Sequence, residues 1–154
     1  MKNTTSQLLL LLALLAAFAA CKTFPSAEVA YVSVANQGDL LKMTAVGYGA
    51  TKREVVADAE RRAFETLLFK GLVGSPVQYP MVTDPNARQA QKAYFTKLLD
   101  DKGYRNHLAS VSPSGKPRYD KRSRRRLASV TLDINLFTLR RDLEQHNITR
   151  TFGL

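Results

Sequence analysis

The feature that most constrains this chain is its single cysteine, Cys21, placed directly after an uninterrupted apolar run of 13 residues from Leu8 to Ala20. A helix needs roughly 20 apolar residues to cross a bilayer stably, so this run is too short to serve as a resident span. It is the right size for a secretory signal, which inserts transiently and is then cut away. The positive start at Lys2 and the small residues Ala19 and Ala20 after Phe18 complete that pattern. Residues 1–20 are therefore expected to be a signal peptide. With one cysteine no intramolecular disulfide can form. Whatever follows residue 20 must be held by its own hydrophobic core, and its length suits one modest domain.

Phe18-Ala19-Ala20-Cys21 resembles the lipobox of bacterial lipoproteins, with Phe where Leu is usual. The resemblance implies that Cys21 becomes the first residue, carries fatty-acyl chains such as palmitate and anchors the protein to a membrane. Two or three chains hold firmly, whereas one is marginal. The alternative is an ordinary signal cut after Ala20 that leaves a free thiol. Residues 21–27 then form a lipidated tether, and 28–154 the single folded domain.

Removing Lys2 with the signal leaves 22 Lys+Arg against 13 Asp+Glu, a formal +9. Such an excess attracts lipid head groups, lipopolysaccharide phosphates or an acidic protein face. Nucleic acid is the other common partner of basic chains, and export from the cytoplasm argues against it.

Residues 28–35 are rich in strand formers, Asn36-Gln37-Gly38-Asp39 signals a turn, and Leu40 to Tyr48 resumes strand character, so a β-hairpin is expected. Thr51 and Glu54 have the spacing of a helix-capping box. Val55, Val56, Ala59, Ala63, Phe64, Leu67 and Leu68 then recur at helical spacing, with Asp58, Glu60, Arg61 and Arg62 assigned to the solvent side. Gly71, Gly74, Pro76 and Pro80 stop that helix. A second helix is expected from Asn86 to Asp100, a strand from Tyr104 to Ser112, a loop over Ser112–Pro117 and a last strand between Tyr119 and Leu136. A short helix over Thr138–His146 follows, with Phe152 and Leu154 docking the tail. The order β-β-α-α-β-β-α predicts an α+β domain, a mainly antiparallel sheet with helices on one face.

Few motifs carry chemistry. Gly47-Tyr48-Gly49 before a helix invites a phosphate-loop reading, but the third glycine of that fingerprint falls at Lys52. Close packing of strand on helix explains both glycines better. His107 and His146, the only histidines, have no Cys, His or carboxylate at metal-ligand spacing, and His146 suits the negative end of a helix. No nucleophilic triad is identifiable, and no cofactor is implied. The densest charge is Lys121-Arg122-Ser123-Arg124-Arg125-Arg126. These five cations form a candidate anion-binding site through guanidinium contacts, or a solvated arm that blocks edge-to-edge aggregation. Because Arg124 and Arg126 share a strand face with Ala128 and Val130, part of the run must lie beyond the sheet.

Ala45-Val46-Gly47-Tyr48-Gly49-Ala50, followed by Ala57-Asp58-Ala59-Glu60-Arg61-Arg62-Ala63, resembles the strand-then-alanine-helix signature of small bacterial outer-membrane lipoproteins. It is similar also to the N-terminal domain of flagellar T-ring proteins. The ending Leu139-Arg140-Arg141-Asp142-Leu143-Glu144 with Phe152-Gly153-Leu154 looks like lipoproteins of the Bacteroidota. The resemblance implies a non-enzymatic binding or scaffold module of the cell envelope. It would be lipid-anchored in the outer membrane and would face the periplasm, since the segment Lys22–Glu28 just after Cys21 holds only one acidic residue, Glu28. It also makes the Asn147-Ile148-Thr149 glycosylation sequon incidental. The competing expectation is a lipid- or lipopolysaccharide-handling protein with an apolar groove beside the arginines.

Overall fold

The computed structural model describes residues 29–34 and 39–149; Phe18, Ala19, Ala20, Cys21, the tether, most of the first expected turn and the docking tail lie outside them. Strands β1 (Val29–Val34), β2 (Leu40–Gly49), β3 (Leu108–Asp120) and β4 (Arg125–Asn135) form one antiparallel sheet in the order β1-β2-β4-β3. Helix α1 (Lys52–Phe69) connects the two hairpins and packs on one face of β2 and β4. This is the α+β architecture expected from the sequence.

Alternation decides which face is covered. Leu41, Met43 and Ala45 of β2 and Val130, Leu132 and Ile134 of β4 are fully buried, while the residues between them stay partly exposed. Against them α1 lays Ala59, Ala63, Phe64, Leu67 and Leu68. Gly47 sets the closeness of that contact. A Cβ built there would lie 2.0 Å from the Val55 carbonyl oxygen and 2.6 Å from the Ala59 nitrogen, so only glycine fits. The packing explanation of Gly47 and Gly49 therefore holds. Helix α1 begins as its capping residues dictate: Thr51 Oγ1 accepts from the Glu54 N–H at 3.2 Å, and Glu54 reaches back to the Ala50 N–H at 2.8 Å.

The helical layer after α1 departs from expectation. Instead of one helix over 86–100, the chain forms α2 (Ala87–Ala90) and α3 (Lys92–Phe95), interrupted at Gln91, whose φ of −110° and ψ of 38° leave the helical region. It continues as a wide π-type turn, Thr96–Asp100, that buries Leu98 and Leu99. The strand expected from Tyr104 starts only at Leu108, because Lys102 turns left-handed (φ 62°) and Gly103–His107 coils as a 3₁₀ turn burying Tyr104 and His107.

The expected loop at Ser112–Pro117 is instead strand. β3 is an edge strand, where proline's missing donor costs no ladder bond if it faces outward. The proline and glycine signal survives as an irregularity: the register jumps from Ser114↔Ser129 to Arg118↔Leu127, around Gly115 at φ 85°. The turn between β3 and β4 consequently falls at Lys121–Arg124, and the last strand begins at Arg125 rather than near Tyr119.

Helix α4 (Leu136–Gln145), capped by Asn135, closes the far end of the sheet with the fully buried Leu136, Leu139 and Leu143.

Glu60, expected on the solvent side of α1, is 2% exposed. A carboxylate is buried only when its charge is answered, and the 3₁₀ turn answers it. Arg105 Nε and Nη2 bind its two oxygens at 2.9–3.2 Å, and the Tyr104 hydroxyl donates to Oε2 at 3.2 Å. Helical periodicity put Glu60 beside other charged residues, and its partner lies 45 residues away. Asp58 is half-buried as well, accepting from the Tyr48 N–H and from Arg62 Nε.

Candidate functional site

The functional groups gather at two opposite ends of the sheet. At one end is the β3–β4 turn. All five candidate anion-binding residues, Lys121, Arg122, Arg124, Arg125 and Arg126, are exposed there. The turn has a definite shape. The Asp120 carboxylate accepts the backbone N–H groups of Arg122 (3.1 Å) and Ser123 (3.0 Å), and the Ser123 side chain, then these backbone hydrogen bonds, hold it below the ordinary carboxylate range. Arg124 takes a left-handed φ of 54°, which ends the turn and starts β4. Arg126 lies opposite Gly49 and Tyr119 in the ladder, at the end of the sheet where α1 begins, and is exposed. With Lys116 and Arg118 on β3, the segment 116–126 carries seven cations against one acid, Asp120.

The other end holds an arrangement that local spacing could not reveal. A cleft of about 460 Å³ lies between the π turn, the 3₁₀ turn and α4. On its wall the Asp142 carboxylate accepts the Tyr94 hydroxyl at 2.7 Å, faces His107 Nε2 at 3.6 Å and lies 3.5 Å from His146 Nδ1. The Tyr94 and His146 rings pack with centroids 4.5 Å apart. His146 Nδ1 also bonds the Asp142 carbonyl oxygen at 2.9 Å, which caps α4, as a histidine at the negative end of a helix should.

His107 is buried, and its Nδ1 lies 3.2 Å from Thr138 Oγ1. Thr138 gives its own proton to the Asn135 carbonyl oxygen. Burial pushes the imidazole below its ordinary value, with the carboxylate offsetting part of the effect. Burial and then the bond to Asp142 push Tyr94 well above its usual range. Hydroxyl, imidazole and carboxylate stand in a row that ties α4 to the 3₁₀ turn.

The only local trace of this cluster was the four-residue spacing of Asp142 and His146. Tyr94 and His107 arrive from separate turns. Among the described residues no group of His, Cys, Asp and Glu has the geometry of a metal site, and no helix is long and apolar enough to cross a membrane.

Fold and sites together define a small α+β domain with a cationic turn at one end and a cleft at the other. No family model matches the chain, and neither a curated protein nor a solved structure matches it.

Proposed function

We propose that this protein is a lipid-anchored, non-enzymatic binding module of the bacterial cell envelope, held through Cys21 and engaging an anionic surface with its basic turn. One structural observation carries the reading. β1 enters the sheet at Val29, opposite Ala45, and β2 runs from there toward Gly49, which pairs with Arg126. The chain therefore enters the domain at the same end of the sheet as the arginines.

Eight peptide steps separate Cys21 from Val29, a reach of at most roughly 28 Å. An acylated Cys21 would confine the basic turn near lipid head groups. Each Lys or Arg there contributes about 1 kcal/mol of attraction to an anionic surface, and tethering multiplies weak contacts by local concentration. The lipid-handling alternative wanted an apolar groove beside Arg124–Arg126. The cleft lies instead at the far end of the hairpin, which favours the binding-module reading.

The anchor is tested by fractionating cells that make the Cys21→Ser protein. The variant should leave the membrane fraction; unchanged fractionation contradicts the reading.

A further inference from the structure

The cleft at the α4 end is unclaimed by the proposed function, and its chemistry is specific. Part of its apolar surface is left open. Phe137 is 55% exposed, although its neighbours Leu136 and Leu139 are fully buried. Leu98 and the Tyr94 ring continue that surface inward. Asp142 is the only acid on the cleft's lining; it accepts the Tyr94 hydroxyl and lies beside the His107 and His146 rings. Lys97 and Arg141 stand exposed on the same lining, with no ion-pair partner among the described residues. Two unanswered cations beside one answered carboxylate leave the mouth positive. The volume is within the range of about 300–1,000 Å³ that holds small organic ligands.

From the exposed ring, the apolar floor and the paired cations we infer that this cleft binds a small amphiphilic organic anion. The aromatic or short acyl body would lie against Phe137, Leu98 and Tyr94, with its carboxylate, sulfonate or phosphate between Lys97 and Arg141. The cleft is too small for a multi-chain lipid, and it lies roughly 33 Å of strand away from the basic turn. The inference stands whether or not Cys21 is acylated.

The test uses 1-anilinonaphthalene-8-sulfonate, an aromatic body with one anionic group, and N-phenyl-1-naphthylamine, a similar body without the charge. Both are titrated by fluorescence into the full chain carrying Cys21→Ser at neutral pH. The sulfonate should bind with a dissociation constant on the order of tens of micromolar. The double variant Lys97→Ala/Arg141→Gln should weaken the sulfonate at least fivefold and leave the neutral probe within twofold. Phe137→Ala should weaken both. Lys97 and Arg141 are exposed and unpaired, so an unchanged thermal transition checks that the fold is kept. Equal loss of both probes in the double variant would overturn the inference. So would a sulfonate affinity unaffected by that variant but lowered by replacing Arg124, Arg125 and Arg126.

Discussion

The two ends of the sheet are built in opposite ways. The basic turn draws its cations from one continuous stretch, Lys116 to Arg126, and is shaped locally, by the Asp120 carboxylate on the Arg122 and Ser123 N–H groups and the left-handed Arg124. The cleft takes Tyr94, His107 and Asp142 from three elements, and its geometry exists only because the core holds those elements together. A locally encoded site tolerates damage elsewhere in the domain, whereas an assembled one inherits every defect of the packing beneath it.

The sharpest way to break that comparison is to disturb the common scaffold. Gly47→Val drives a side chain into the Val55 carbonyl and the Ala59 backbone, and should cost about 3 kcal/mol or more. Urea denaturation of the variant would measure it, and probe binding in the cleft should be lost first. Arg105→Ala comes next. It strips the ion-pair partner from buried Glu60 and frees the 3₁₀ turn that presents His107. Removing one member of a buried pair costs about 3–5 kcal/mol, and the half-exposed Arg105 head places this case nearer 2–3 kcal/mol because water reaches it. Arg105→Lys should recover only part of the loss, since an ammonium cannot make the bidentate contact.

A smaller effect is expected from pH. The folded state lowers the His107 pKa below its ordinary 6.5, so the unfolded chain binds more protons in that interval. The stability that His107 contributes is fully present above 6.5 and is lost as pH falls through the folded value. Tyr94 and Tyr104 are shifted upward from 10.0, so their contribution is present below pH 10 and is lost above it. Thermal unfolding across pH should show a plateau between those limits. His107→Gln should flatten the acid side alone, and an acid limb unchanged in that variant would remove His107 from the account. Smallest is Asp120→Ala, which removes the two solvent-exposed turn bonds and should lower the thermal midpoint only slightly, with probe binding in the cleft unaffected.

Legibility from sequence followed the same division. Alternation in β2 and β4, the capping residues Thr51 and Glu54, and the glycine at 47 are short-range signals, and the structure keeps them. The arginine run was visible as a run. Glu60 was misread because periodicity says which side of a helix a residue occupies, not that Arg105 and Tyr104 will cover that side. The Ser112–Pro117 segment was misread because prolines on an edge strand break fewer bonds than their type suggests. Asp142, Tyr94 and His107 meet only through tertiary folding, so nothing at local spacing could assemble the cleft.

We propose that the end of the sheet where the chain enters is the end that meets an anionic surface. Sedimentation of the full-length Cys21→Ser protein with anionic vesicles, at low and at physiological salt, tests it directly. Binding should weaken as salt rises, should be absent on zwitterionic vesicles and should fall roughly 100-fold when Arg124, Arg125 and Arg126 are replaced by alanine, at about 1 kcal/mol per cation. Equal binding of the parent and the triple variant would contradict the claim and leave the turn as a solvated arm.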